Sequence, residues 1–348
     1  MEEKQAHKRR VRYQGTHPKH YHEKYKELQP EKYAQDVEKV IERGSTPAGM
    51  HLSICVDEIL AFLQIKPGQT GLDATLGYGG HTTKMLEQLC GKGHLFALDV
   101  DSIEIEKTRA RLEKLGYGAE ILTILQLNFA EVDKVTAQAG LFDFALADLG
   151  VSSMQIDNPD RGFSYKSEGP LDLRLDPAKG ISAAERLCEM TQEEIDGMLT
   201  ENADEPYAGE IARAIAQTLA RGAEIATTTQ LKQVIEQALS FLPETERKDA
   251  VKKSCQRTFQ ALRIDVNSEF EVLYAFLEKL PQVLAKGGRV AILSFHSGED
   301  RLVKKSFKRL LKEGVYSEIS DGIIRPSAEE CYRNSRAHSA KLRWAVKA

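Results

Sequence analysis

Between residues 70 and 149 the chain alternates short apolar runs with amphipathic ones, and that rhythm restricts what it can fold into. Residues 70–74, 94–100 (HLFALDV), 121–127 and 142–149 (FDFALADL) read as strands. Residues 81–89 and 103–115 between them carry helical spacing. The longer of these strands carry near-continuous apolar runs instead of an apolar residue at every second position. Such strands are covered on both faces, which predicts a parallel sheet with helices on either side.

The rhythm then stops. Residues 150–181 hold glycine, proline and charge with little periodicity, and a loop of that length inside a domain is usually functional. Residues 182–262 read as helix throughout, with a capping box at Thr191 and Glu194 and helices over 206–219 and 229–241. The α/β pattern resumes with a helix over 268–284, stopped by Gly287-Gly288, and a strand over 289–295 (RVAILSF). A basic helix over 300–312 and a strand over 341–346 follow. The expected organisation is an extension at 1–48, an α/β domain from 49–159 and 263–348, and a helical insertion at 160–262 that serves substrate recognition.

Composition removes several alternatives. Among 348 residues no run of about 18 apolar residues occurs, so a membrane span is not expected. The beginning, MEEKQAHKRRVRY, has no apolar signal region. Five cysteines without a CxxC pair support neither zinc nor a disulfide framework, and no metal is expected. A reduced, cytoplasmic protein fits these features. The net charge of −4 is unevenly spread: residues 1–26 carry +5 and residues 325–348 carry +4, which leaves −13 between them. Basic ends on an acidic body are suited to local contact with a polyanion.

The first strand runs into Asp73-Ala-Thr-Leu-Gly77-Tyr-Gly79-Gly80-His81 and then a helix. Glycines at a strand's carboxyl end let backbone approach a ligand, and the following helix offers free amides. The spacing is not G-x-G-x-x-G, so the dinucleotide fingerprint is not met. Asp99 closes the second strand, where a carboxylate accepts hydrogen bonds from ribose hydroxyls. Asp101 competes for that role but is better placed to cap the next helix. A glycine turn with an acidic strand end is a nucleoside site for NAD or S-adenosylmethionine (SAM) alike. The fourth strand favours SAM, because it ends in Asp148 before a tight turn. The lone pair of a nucleobase amine is delocalised into the ring. An acceptor such as Asp148 draws its protons out of that conjugation and aligns the amine.

DATLGYGGHT, LDVD, NFAEVD, DLGVSSMQIDNPDRGFSY, GPLDLRLD, TFQALRIDVNSE and SFHSGEDR, in this order, resemble the 16S ribosomal RNA cytosine-N(4) methyltransferases over about residues 50–348. The resemblance implies a Rossmann-like SAM-dependent methyltransferase sheet with an inserted helical subdomain. It implies SAM as cofactor and the 16S RNA of the small ribosomal subunit as partner. It assigns SAM contacts to Gly79, Gly80, His81, Asp99, Phe129, Asp148 and Gln155, with Asp148 the candidate catalytic residue. Met154 and Gly298 stand where the family usually has Pro and Leu, which marks a divergent copy with an N-terminal extension.

Beyond the crevice, Arg161, Phe163, Tyr165 and Arg174 combine cations with aromatic rings, a pairing suited to phosphates and to stacking a splayed base. An enzyme acting on an exocyclic amine must expose that base. His296 ends the fifth strand and faces the same crevice, where it would orient the cytosine edge. The alternatives are a methyltransferase for another RNA or DNA base, and a ribosome-assembly factor without catalysis. The oligomeric state is open.

Overall fold

The computed structural model describes residues 53–348. The basic extension at 1–48, and the polyanion contact expected of it, lie outside the described residues. The strands are β1 (Thr70–Asp73), β2 (His94–Asp99), β3 (Leu122–Gln126), β4 (Phe142–Asp148), β5 (Leu284–Ser294), β6 (Tyr316–Ile319) and β7 (Lys341–Lys347). They form one sheet in the order β3-β2-β1-β4-β5-β7-β6. β1 to β5 are mutually parallel, and β7 runs antiparallel to both β5 and β6.

The apolar runs within the strands supply both faces of the sheet. In β2, Leu95 and Ala97 enter one core with the helices Val56–Leu63 and Gly80–Leu89, while Phe96 and Leu98 enter a second core with the helix Glu269–Val283. Each face of the sheet thus has its own apolar layer, and successive side chains alternate between the two. Gly71 is required by this packing: a Cβ there would lie 2.0 Å from Cζ of Phe144. Strand order reverses at β1, which lies between β2 and β4, so the crevice at the carboxyl ends of these strands is the natural ligand site of the sheet.

Two expectations are corrected here. Gly287-Gly288 does not stop the preceding helix. That helix ends at Val283, and the glycines lie inside β5, where the register against β4 shifts between Phe142 and Phe144. A Cβ on Gly288 would come within 2.7 Å of the Ala285 carbonyl oxygen, so the bulge needs glycine. The strand β6 was not foreseen; its four residues, YSEI, are too few to show a period.

No strand of the sheet falls between β4 and β5. That stretch builds a third core from Phe163 to Leu262. Its helices are Ala183–Glu189, Gln192–Ala203, Ala208–Ala220, Thr228–Ala238 and Glu244–Asn267. Ser182, Thr191 and Thr227 each open a helix with a reciprocal capping box. The last helix is 24 residues long and continuous. The expected boundary between 262 and 263 falls inside it, so this helix belongs to both the insertion and the returning chain.

Candidate functional site

The loops at the carboxyl ends of the strands surround a cleft of about 960 Å³. Its first wall is the turn after β1. The Asp73 carboxylate is buried and accepts hydrogen bonds from Thr82 Oγ1 (2.6 Å) and the Thr75 amide (3.1 Å), which ties the turn to the helix that follows. Burial raises its pKa. Gly79 has a φ of 75°, a left-handed conformation that favours glycine. Gly80 is closely approached by Ser53, whose Oγ stands 2.0 Å from where a Cβ would be and would have to rotate away to admit one. The helix Gly80–Leu89 begins here and presents its first amides, including that of His81, without intrahelical partners.

Asp99 lies across the turn. Its carboxylate accepts the Gly77 amide (2.7 Å) and the Asp101 amide (2.9 Å). Burial pushes its pKa up to about 6, and those amides offset the effect only in part. Asp101 caps the helix Ser102–Lys114 through the amides of Ile103 and Glu104, as expected. Phe129 lines the cleft and packs edge-on against Phe276 at 5.1 Å.

The second wall is the end of β4. The Asp148 amide donates to Thr75 Oγ1 (2.7 Å), which fixes this strand end against the β1 turn. Asp148 Oδ2 lies 3.5 Å from His81 Nε2, while Asp148 Oδ1 is buried with no hydrogen-bond partner. Burial lowers the His81 pKa, but the carboxylates of Asp148 and Asp73 outweigh it and the net shift is upward. Gln155 forms a capping box with Ser152 at the start of the helix Ser153–Asp157, and its Nε2 donates to Asp101 Oδ2 at 2.7 Å.

Two expected RNA contacts are corrected. Arg161 is 7% exposed. Its Nη1 donates to Asp101 Oδ2 at 2.7 Å and its Nη2 to the carbonyls of Arg174 and Leu175. It closes a buried ionic knot beneath the loop and does not line the cleft. Arg174 is held by two hydrogen bonds to the Asp172 carboxylate and one to the Gly180 carbonyl, also away from the cleft. The Arg161 guanidinium is drawn inward by the fully buried Asp101 carboxylate, 60 residues away in sequence, whereas Arg174 is taken up by Asp172 two residues before it. Phe163 and Tyr165 do line the cleft; Phe163 is also part of the third core, and Tyr165 packs on Phe259 at 5.8 Å.

The third wall was missed from sequence. The helix Glu244–Asn267 turns Lys253, Gln256, Arg257, Gln260, Arg263 and Asn267 toward the cleft. Their spacing of three and four residues marks a single helical face. Arg263 is locked by two hydrogen bonds to Glu269, at 2.7 and 2.9 Å. Beside it, His296 Nε2 lies 3.2 Å from the buried Glu299 carboxylate. Burial raises the Glu299 pKa, but His296 and Arg263 together bring it below the usual range. His296 precedes the helix Ser297–Lys312, just past the end of β5, and reaches the cleft as expected.

Among the described residues, two clusters have ligand atoms close enough for a cation. In Glu269, His296 and Glu299, the Arg263 guanidinium already supplies the positive charge. In Cys55, Glu58 and Glu330, burial pushes the Cys55 thiol up to about 12 and keeps it protonated. The main cleft has a different chemistry: helix-start amides, an acidic strand end, an aromatic wall and a carboxylate oxygen with no partner. Such an arrangement can accept a nucleoside beside a hydrogen-bond donor.

Comparison with known proteins agrees with this geometry. A ribosomal RNA small subunit methyltransferase H 1 of Lachnoclostridium phytofermentans is 71% identical over 343 residues, covering 99% of this chain and 94% of that protein. A ribosomal RNA small subunit methyltransferase H 2 of Alkaliphilus metalliredigens is 69% identical, covering 98% and 97%. The match to the H 1 protein of Agathobacter rectalis is 63% identical and spans all of both chains, so the N-terminal extension has a counterpart there. The model of the MraW methylase family matches residues 48–348, from the break after the extension through the sheet, the insertion and β7, and the chain belongs to that family.

Proposed function

We propose that this protein methylates the exocyclic N(4) amine of a cytosine in the 16S RNA of the small ribosomal subunit, with SAM as methyl donor, in the cytoplasm. The observation that carries the reading is Asp148 Oδ1, a buried acceptor with no partner on the wall of the cleft. A buried acceptor left unpaired is costly unless a ligand donates to it.

The residues fit SAM. The amides at the start of the helix Gly80–Leu89 would hold its carboxylate, Asp99 would accept the ribose hydroxyls, and Phe129 would pack beside the adenine. When bound, SAM supplies an electrophilic methyl group. Asp148 accepts an N–H of the cytosine amine, which turns the nitrogen lone pair out of conjugation and holds it in line. Methyl transfer would exchange the S–CH3 bond of the donor for the new N–C bond and leave its sulfur a neutral thioether; Asp148 would stabilise the positive charge that moves to the amine nitrogen and accept the proton it sheds. Phe163, Tyr165 and the polar face of Glu244–Asn267 enclose the splayed nucleotide opposite the turn, and His296, held by Glu299, borders the base.

The test is to incubate the protein with small subunits and radiolabelled SAM, digest the RNA and separate its nucleosides. Label in N(4)-methylcytidine is expected. Label in another nucleoside, or none in RNA, overturns the assignment.

A further inference from the structure

The helix Ser297–Lys312 starts at the cleft, where Glu299 of its first turn lines the wall, and its 16 residues carry it about 24 Å away. Its inner face, Val303, Ser306, Phe307 and Leu310, is buried. Its outer face holds Arg301, Lys304, Lys305, Lys308 and Lys312, all exposed. Steps of three, one, three and four residues place these five side chains on one face.

These charges are not compensated locally. Among the described residues no carboxylate forms an ion pair with any of the five. Arg309, on the flank of the same helix, differs: it pairs with Glu278 and Glu313. The helix's own acids are engaged elsewhere, Glu299 with His296 and Asp300 with Arg343. Surface helices usually mix the two signs so that i,i+4 neighbours attract. Here Arg301/Lys305, Lys304/Lys308 and Lys308/Lys312 are like-charged i,i+4 pairs, each of which opposes helix formation. The other basic segment offers less, since Arg325, Arg333, Arg336 and Arg343 all have partners within the chain. On an acidic body, this face is a one-sided cationic surface on a rigid support that begins at the site of reaction.

We propose that the outer face of the helix Ser297–Lys312 binds the phosphate backbone of the RNA flanking the target nucleotide, outside the cleft. This rests on the reading of the substrate as RNA. The face grips without reading sequence, since lysines on phosphates fix position and not base identity. It holds the substrate strand while the cleft selects and turns the base.

The test compares wild-type protein with the quadruple variant Lys304→Gln, Lys305→Gln, Lys308→Gln, Lys312→Gln. The control quadruple is Lys66→Gln, Lys92→Gln, Lys114→Gln, Lys286→Gln, exposed lysines just before β1, β2 and β3 or before the bulge of β5, toward the amino end of the parallel strands. Binding to 16S RNA is measured from about 50 to 200 mM salt. Each phosphate contact contributes about 0.7 to 0.9 to the slope of log affinity against log salt, so the test variant should lose about 3 from that slope. The control should keep the wild-type slope, and SAM affinity and melting temperature should not fall in either. A test variant with the wild-type slope overturns the proposal. So does one that keeps RNA binding but loses binding to anionic lipid vesicles, which would assign the face to a membrane surface. Wild-type protein that neither binds nor methylates RNA overturns the substrate reading itself, and is distinguishable because the wild-type arm alone reports it.

Discussion

Replacing Arg161 with alanine removes the cation from a carboxylate that has no route to water. The Asp101 side chain is fully buried, and Arg161 supplies it with a 2.7 Å hydrogen bond while also donating to two loop carbonyls at 3.0 and 2.9 Å. Breaking a buried ion pair from one side costs about 3–5 kcal/mol. Gln155 and the two capping amides still reach Asp101, which places the cost near the lower end of that range. At about 2.1 cal/mol/K per residue, a cooperative unit of roughly 300 residues has an unfolding entropy near 0.6 kcal/mol/K, so about 3 kcal/mol lowers the melting temperature by about 5 °C. Scanning calorimetry without RNA measures this directly, and Arg161→Lys should recover part of the loss. A melting point equal to wild type, together with weakened RNA binding, would refute the buried role and return Arg161 to the substrate surface.

Other expectations follow from the same geometry. SAM affinity should fall as pH drops through about 6, because the Asp99 carboxyl must be ionised to accept the ribose hydroxyls; calorimetric titration of Asp99→Asn should show weaker binding, by about 1.5–3 kcal/mol, without that inflection. The same raised pKa makes protonated Asp99 favour the fold, so the ligand-free protein should lose stability as pH rises from the ordinary carboxylate range toward 6, and Asp99→Asn should remove that contribution in denaturant melts. Asp148→Asn should lower single-turnover methylation by two orders of magnitude or so while leaving SAM affinity near wild type; normal turnover would reduce Asp148 to a structural part. Gly71→Ala drives a Cβ to 2.0 Å from the Phe144 ring and should destabilise by about 1–3 kcal/mol in chemical denaturation, with no specific effect on SAM.

What the sequence made legible was local. The strands β2 to β4 could be read because each carries an apolar run, β1 because it leads into the glycine turn, and the Thr191 capping box because donor and acceptor are three residues apart. The boxes at Ser182 and Thr227 carry the same signature and could have been read in the same way. The knot of Asp101 with Gln155 and Arg161 could not, since it joins residues 54 and 60 apart and depends on which helix start the loop crosses. Arg161 therefore looked like a phosphate ligand when it is a buried counter-ion. The polar stripe from Lys253 to Asn267 was present as a helical period. Periodicity marks a shared face without saying whether it meets solvent or a cleft, and only the packing of the long helix beside the sheet decides that.

The position of β7 sets an order on folding. It lies between β5 and β6 and, among the described residues, is the only strand that pairs with β6, so while the chain emerges residue by residue, neither edge finds its described partner until residues 341–347 arrive. Their arrival also stacks Trp344 on Phe62 at 4.4 Å and so closes the first helix against the same seam. Until then the nascent chain exposes the hydrogen-bonding rim of β5, an open template for pairing with other chains. A chain stopped short of Lys341 would keep that aggregation hazard permanently.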